Sequence, residues 1–205
     1  MKFISKFFFF VILSLAFICC KNEAKRTVEK TENYQEKSAV VPVPEKKVLS
    51  AELEEEVNSV MLKSMVTPEL KTFSSMLVTA NLADMLLKKD GPFTLIGPSN
   101  DAFDRLGKLQ MEELLNTANE DELVRLIKSH VIDDSLDSAT LVRKINEGNG
   151  SYRIVSMSGA TYSATLEGTT IVITDVNGVA AQLEKSDING VNGVVHVLDK
   201  VLAVN

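Results

Sequence analysis

The stretch that decides the fold lies near the C-terminus, where residues 192–204 read Asn-Gly-Val-Val-His-Val-Leu-Asp-Lys-Val-Leu-Ala-Val. Asn192 and Gly193 form a strong turn signal, because both residues tolerate the positive φ values that a tight corner requires. The run that follows is nearly continuously apolar and rich in β-branched valine, which predicts a strand buried on both of its faces. We expect this strand to close the fold inside the core.

A strand of this kind needs neighbours, and the best candidate partner lies far upstream. Residues 92–97 read Pro-Phe-Thr-Leu-Ile-Gly, a second apolar run between glycine and proline breaks. We therefore predict that the two runs lie together in the core.

The sequence between these runs changes its hydrophobic period at residues 148–150, Gly-Asn-Gly. Upstream, helical spacing and capping residues (Ser50, Thr67, Ser138, and Asn119 with Glu122) predict helices over 50–64, 67–80, 82–87, 101–106, 111–117, 121–130 and 138–145. Downstream, short β-branched runs separated by glycine-containing turns predict strands over 152–157, 162–166, 169–174 and 179–183. Because helices come first and antiparallel strands follow, the predicted class is α+β.

The N-terminus carries a signal for export. Lys2 and Lys6 form a basic region, and an apolar run of twelve positions, with Ser14 as its single polar residue, extends from Phe7 to Ile18. Such a run is too short to span a bilayer but has the length of the hydrophobic part of a signal peptide.

Both cysteines of the protein, Cys19 and Cys20, end this run, so no disulfide framework and no cysteine-based metal site are expected in the domain. An apolar run that ends in cysteine resembles a bacterial lipoprotein signal, in which the cysteine becomes the lipidated first residue. Cys20 is the preferred position because the residue before it is small, and Cys19, which follows Ile18, is the alternative. Ordinary signal cleavage without a lipid is the other interpretation. The lipoprotein reading predicts anchoring to the cell envelope, at the outer membrane.

The mature part of the chain is acidic and begins with a tether. Residues 20–48 are polar and end close after Val-Pro-Val-Pro, a composition typical of a disordered, extended linker, so a single domain is predicted over 49–205. Without residues 1–19 the chain holds 20 basic and 28 acidic residues, a net charge of −8. This charge argues against nucleic acid as a partner and against peripheral binding to anionic lipid, leaving the lipid as the membrane anchor.

Three segments in order resemble the fasciclin (FAS1) domain. Residues 93–103, Phe-Thr-Leu-Ile-Gly-Pro-Ser-Asn-Asp-Ala-Phe, resemble its first signature segment, and residues 192–202 resemble its second. Residues 129–132, Ser-His-Val-Ile, lie where the family has a Tyr-His segment. The resemblance implies a twisted β-wedge or sandwich with a helical layer along one side.

The resemblance also implies an extracellular adhesion or binding module without catalytic chemistry, whose partner is an envelope or extracellular protein or a glycan. Ser129 stands where the family has the tyrosine tied to receptor-type adhesion in animal members, so that mode of adhesion is not expected. The chain holds one such domain, whereas adhesive members often hold several.

The two histidines are the residues most open to a functional interpretation. His196 lies among apolar residues of the closing strand and is predicted to be buried and structural, and the resemblance implies Asn100 and Asp101 as its partners. His130 ends a predicted helix, where a cationic ring would suit the helix dipole. A structural role is favoured for His130 as well, with ligand binding as a weaker alternative.

Other chemistries find little support in the sequence. A Ser/His/Asp hydrolase is the alternative of a different class, although no Gly-x-Ser-x-Gly motif is present. Asp133, Asp134 and Asp137 suit either a hard cation or the capping of turns, and capping is favoured because the pattern of a calcium loop is absent. No glycine-rich phosphate loop occurs, so neither a cofactor nor a metal is predicted. A structural envelope protein without a specific ligand is a further alternative.

Overall fold

The computed structural model describes residues 53, 57–88 and 91–202. The predicted signal segment, Cys19, Cys20 and the predicted tether lie outside these residues. The helices are α1 (Val60–Val66), α2 (Lys71–Thr79), α3 (Ala83–Lys88), α4 (Asn100–Leu106), α5 (Lys108–Leu114), α6 (Glu120–Ser129) and α7 (Ser138–Glu147), with short 3₁₀ turns at Pro68–Leu70 and Thr117–Asn119. Within the described residues, no helix is long and apolar enough to cross a membrane.

Seven strands form one nearly closed mixed sheet, in the order β2-β1-β7-β6-β5-β4-β3. The strands are β1 (Phe93–Pro98), β2 (Val131–Ile132), β3 (Ser151–Val155), β4 (Thr161–Glu167), β5 (Thr170–Thr174), β6 (Ala180–Gly190) and β7 (Gly193–Leu198). β1 runs parallel to β7 along its whole length, and the other neighbours are antiparallel. The predicted pairing of the two apolar runs and the α+β class are thus confirmed.

The paired strands β1 and β7 separate two halves of the hydrophobic core. All six residues of β1 and five of the six in β7 are buried, as their continuous apolar composition predicts. Successive side chains of a strand point to opposite faces. Leu95 and Val195 therefore join the cluster beneath α1, α2 and α6, whereas Ile96 and Leu198 join the cluster beneath α7.

The corner before β7 brings the backbones of the two strands into close contact. At Gly193 a β-carbon would lie 1.9 Å from the carbonyl oxygen of Phe93, and the φ angle is +151°. Both facts require glycine, because any side chain would force the strands apart.

Asn192, beside this glycine, ties the corner to the helical layer. Its Oδ1 accepts the backbone N–H of Val60 at 2.8 Å, and its Nδ2 donates to the carbonyl of Leu86 at 2.9 Å. Its own carbonyl accepts the N–H of Phe93 at 2.9 Å. One buried side chain therefore connects α1 and α3 to the meeting point of β1 and β7.

Several helix caps differ from the predicted ones. Ser59 caps α1 by accepting the N–H of Leu62, whereas Ser50 lies outside the described residues. Asp137, not Ser138, caps α7, because its carboxylate accepts the N–H of Thr140 at 2.7 Å.

Thr67 and Asn119 do not cap the helices predicted to follow them. The Thr67 hydroxyl donates backwards to the carbonyl of Lys63, and the Asn119 amide donates to the carbonyl of Glu113. In both cases the side chain satisfies a carbonyl of the preceding helical segment instead of an N–H group of the next.

Strand β6 is longer than the predicted strand over 179–183 and runs to Gly190. Its second half is mostly exposed and polar, and its register against β7 shifts between Leu183 and Ile188. Asp187 in this stretch has a φ of +61°. These irregularities interrupt the alternation of apolar and polar residues by which a strand is recognised in a sequence.

The central position of β7 is testable by placing a charge in it. Val195 is fully buried, whereas Val191, in the turn before β7, is 60% exposed. Val195→Asp should unfold the domain, because an unpaired buried charge costs several kcal/mol, about the whole stability of a domain. Val191→Asp is the matched control and should keep the wild-type melting temperature in circular dichroism. A folded Val195→Asp variant would show that the strand is not interior.

Candidate functional site

His130 follows the last residue of α6 and is 1% exposed. Its Nδ1 lies 2.9 Å from the carbonyl of Leu126, and its Nε2 lies 3.3 Å from the backbone N–H of Leu202. Because Leu202 offers a hydrogen to Nε2, the proton of a neutral ring belongs on Nδ1, which donates to Leu126. The ring also meets the edge of Phe73, with centroids 6.1 Å apart. His130 thereby joins α6 to the segment that follows β7.

The environment of His130 keeps the ring neutral. Burial lowers the pKa of His130 to about 4, although the hydrogen bond to Leu126 acts in the opposite direction. The expectation of a cationic ring at the end of the helix is therefore wrong, since desolvation outweighs the dipole. Its burial also removes the ring from any surface on which a partner would bind.

His196 lies in the middle of β7 and is also buried. Its Nε2 is 2.8 Å from the carbonyl of Leu136, and its Nδ1 accepts the backbone N–H of Asp187 at 3.3 Å. Burial lowers the pKa of His196, which the contacts with Leu136 and the carboxylates of Asp187 and Asp137 oppose. The ring thus connects the loop after β2 to strand β6 through their backbones.

The implied contact of His196 with Asn100 and Asp101 is not formed. Asn100 accepts the N–H of Thr72 at 3.0 Å and donates to the carbonyl of Pro68 at 2.9 Å, and Asp101 is exposed. The reason is position: His196 pairs with Ile96 within the sheet, whereas Asn100 begins α4 beyond the end of β1. Asn100 holds α4 against the start of α2 instead.

In the described residues a serine side chain contacts a histidine at one place and an aspartate at another, but neither pair has the arrangement that nucleophilic catalysis needs. The Ser129 hydroxyl lies 3.1 Å from Nδ1 of His130, yet it donates to Leu126 at 2.6 Å, and both residues are buried. The Ser138 hydroxyl donates to the carboxylate of Asp187. In neither place does a histidine nitrogen accept the proton of an accessible serine, which is the contact that activates the nucleophile.

The acidic residues after β2 serve the local backbone. Asp134 accepts the N–H of Ser135 at 2.8 Å, and Asp137 caps α7. Hydrogen bonds from Thr140 lower the pKa of Asp137. These contacts confirm the capping interpretation for Asp134 and Asp137, while Asp133 is an exposed residue beside them.

The surface of the described domain has several concavities, of which two are formed by segments distant in the chain and bear on a binding role. A groove of about 500 Å³ lies between α4, α5, α6, the turn before β6 and the segment after β7. Its lining is mainly apolar, and its polar positions are Gln110, Glu113, Glu122 and Arg125. A second concavity of about 460 Å³ separates the segment after β2 from β3. Sequence reasoning missed both, because each is formed by segments distant in the chain.

The fold defines a mixed β-sheet module in which both histidines make hydrogen bonds inside the protein, and comparison with known proteins gives its family. Residues 68–204 match the Fasciclin domain family. This match covers more than half of the chain, so the chain belongs to the fasciclin domain family.

Relatives share modest identity with this chain. Protein sll1483 of Synechocystis sp. is 28% identical over 134 residues, which cover 64% of this chain and 67% of that protein. Human periostin is 31% identical over 140 residues, which cover 65% of this chain but 14% of periostin. The chain thus corresponds to a small part of the human relative.

A solved structure supports the same fold. The FAS1 domain pair from the insect cell adhesion molecule Fasciclin I superposes with a TM-score of 0.56 at 18% identity, covering 72% of this chain and 51% of that chain. At this identity the likeness concerns the fold.

The neutral state of His130 predicts how stability depends on pH. The unfolded histidine, with a pKa near 6.5, binds a proton below that pH, whereas the folded one stays neutral down to about 4. The free energy of unfolding should therefore fall by about 2 kcal/mol from this residue between pH 7 and pH 5. The His130→Gln variant should be less stable than the wild type at pH 7. In urea titrations its free energy of unfolding should fall by about 2 kcal/mol less than that of the wild type between pH 7 and pH 5.

Lys128→Gln, a neighbouring change that leaves both histidines in place, is the control and should keep the wild-type slope. NMR of the wild-type imidazole gives an independent reading, and the ring should remain neutral at pH 5. A ring that titrates near pH 6.5 would contradict the buried, neutral assignment.

Proposed function

We propose that this protein is an exported, lipid-anchored and non-catalytic binding module of the bacterial cell envelope. In this proposal residues 1–19 direct export, Cys20 carries the lipid, residues 20–48 are the tether, and residues 49–205 form the fasciclin domain. The domain binds a protein or a glycan in adhesion or in matrix organisation. The membrane is reached through the lipid, and nucleic acid is not a partner.

The observation that carries the binding role is membership of the fasciclin domain family. The match spans the fold from the 3₁₀ turn before α2 to the end of the described chain, and the solved neighbour comes from a cell adhesion molecule. The chemistry of the domain agrees with this role, because both histidines make hydrogen bonds inside the protein and neither activates a serine. Binding through a surface therefore fits the domain better than catalysis in a pocket.

The anchoring part of the proposal rests on the N-terminal sequence. The basic residues, the apolar run and the cysteine pair occur in the order of a lipoprotein signal, and a polar segment of tether length follows. An acidic chain has little electrostatic attraction for anionic lipid, so stable attachment to a membrane requires an anchor.

The lipid is testable by metabolic labelling with an alkyne-tagged fatty acid in a bacterial host. The wild-type protein should incorporate the label, and Cys20→Ala should lose it. Cys19→Ala is the matched control and should stay labelled. Unlabelled wild-type protein, or label that persists when both cysteines are replaced, would contradict the anchor.

The binding role is testable with the purified protein on immobilised envelope polysaccharides and solubilised envelope proteins. Saturable binding that disappears with the unfolded Val195→Asp variant is the expected result. The absence of saturable binding would favour a structural protein without a specific ligand. Reproducible turnover of ester or amide substrates, lost in His130→Ala or His196→Ala at temperatures where the variants remain folded, would favour the hydrolase.

A further inference from the structure

The sheet stops short of closing, and the opening lies between β2 and β3. We call this opening the seam; it is the concavity of about 460 Å³ between residues 132–136 and residues 152–157. One backbone hydrogen bond crosses it in the described structure, from the N–H of Met157 to the carbonyl of Val131, at 2.7 Å. β2 and the chain just after β3 therefore share one hydrogen bond of the kind that pairs strands, and beyond Val131 the two segments are separated by the concavity.

A buried hydroxyl explains why β2 does not continue along the seam. Thr94 of β1 is fully buried, and its Oγ1 donates to the carbonyl of Asp134 at 2.7 Å and accepts the N–H of Leu136 at 2.8 Å. These two bonds hold the chain after Ile132 to β1, and a concavity separates it there from β3. As a result β2 has two residues, and among the residues that the structure describes no strand lies beside β3 at the seam.

The backbone of β3 offers hydrogen-bonding groups to this seam. The N–H of Ser156 donates to Ala160, so even-numbered residues form the hydrogen-bonded pairs with β4. In an antiparallel pair the alternate residues direct their N–H and C=O groups away from the partner. Arg153 and Val155 therefore point theirs into the seam, as Met157 does when it bonds to Val131.

The side chains at the seam add charge to this backbone pattern. Asp133 and Asp134 are exposed on one wall, and Arg153 is exposed on the other. Within the described residues neither Asp133 nor Arg153 forms an ion pair. A basic side chain beside the two aspartates would therefore find uncompensated negative charge.

We propose that the seam binds an extended peptide segment of a partner protein, which pairs antiparallel with β3 and places a lysine or arginine beside Asp133 and Asp134. The segment takes the course that β2 leaves at Ile132. This proposal rests on the proposed binding function and assigns it a surface and a class of ligand. Strand addition supplies affinity through the main chain and selectivity through alternate side chains.

A second copy of this chain fits the seam less well than a partner peptide. Two copies of β3 paired antiparallel over their whole length place Arg153 opposite Arg153. Like charges directly opposite each other destabilise a sheet. The walls of the seam also restrict the approach of a complete domain, whereas a single extended chain enters between them.

The probe for this proposal is the capped peptide acetyl-Thr-Val-Lys-Val-Thr-Val-amide, added to the isotope-labelled protein. We expect saturable NMR shifts at the amides of Arg153, Val155 and Asp133. Two N-methylated versions, blocked at residues 1, 3 and 5 or at residues 2, 4 and 6, share composition but block opposite edges of the peptide. One version should bind about tenfold more weakly, because it loses about two main-chain hydrogen bonds, and the other should keep most of the affinity.

Variants of the protein test the same contact from the other side. Arg153→Pro removes the N–H that faces the seam and leaves the bonds to β4, so it should weaken the peptide about tenfold. Arg153→Ala keeps the N–H and should change affinity by less than about threefold. If Arg153→Pro does not fold, the pair of methylated peptides on the wild-type protein decides the question.

Several results would overturn the proposal. These are shifts outside the seam, equal binding of both methylated peptides, absence of peptide binding, or self-association through β3 in analytical ultracentrifugation. An envelope partner that binds Arg153→Pro as tightly as the wild type would overturn this surface while leaving the proposed function in place. If the wild-type protein binds the peptide but binds no envelope polysaccharide or protein, that result would instead count against the proposed function.

Discussion

The parallel pairing of β1 with β7 is the constraint on which the rest of the structure depends. It joins residues about a hundred positions apart and divides the core into two halves, because neighbouring side chains of each strand point to opposite faces. The approach requires Gly193, whose position leaves no room for a side chain. Asn192 then fixes α1 and α3 to the same corner, so the helical layer depends on this junction as well.

The sequence was most informative where composition alone dictates burial. The continuous apolar runs of β1 and β7 predict strands with no exposed face, and the structure pairs them as expected. The partners of His196, the cap of α7 and the length of β6 were not predictable, because each depends on segments that meet only after folding. The predicted charge of His130 was wrong, because the position of a residue at the end of a helix does not reveal how far it is buried. Phe73 and the chain near Leu202 bury this ring and meet it only after folding.

The candidate site was also predictable only in part. The internal role of His196 follows from its apolar sequence neighbours, whereas the seam arises from the Thr94 hydroxyl, which holds a turn forty residues later in the chain. Every buried side-chain nitrogen and oxygen in the described residues has a hydrogen-bond partner. The polar chemistry of the interior is thus committed to the fold, and what remains for recognition lies at the surface, including the backbone of β3.

Native-state hydrogen exchange tests the central claim most directly, because it measures the free energy at which each amide opens. If the pairing of β1 with β7 holds the fold together, the amides of these strands should exchange only by global unfolding, with the free energy found by urea denaturation. The N–H groups of Arg153 and Val155 should exchange much faster in the same sample. Exchange of Leu95 or Val195 through local opening, well below the global free energy, would contradict the account.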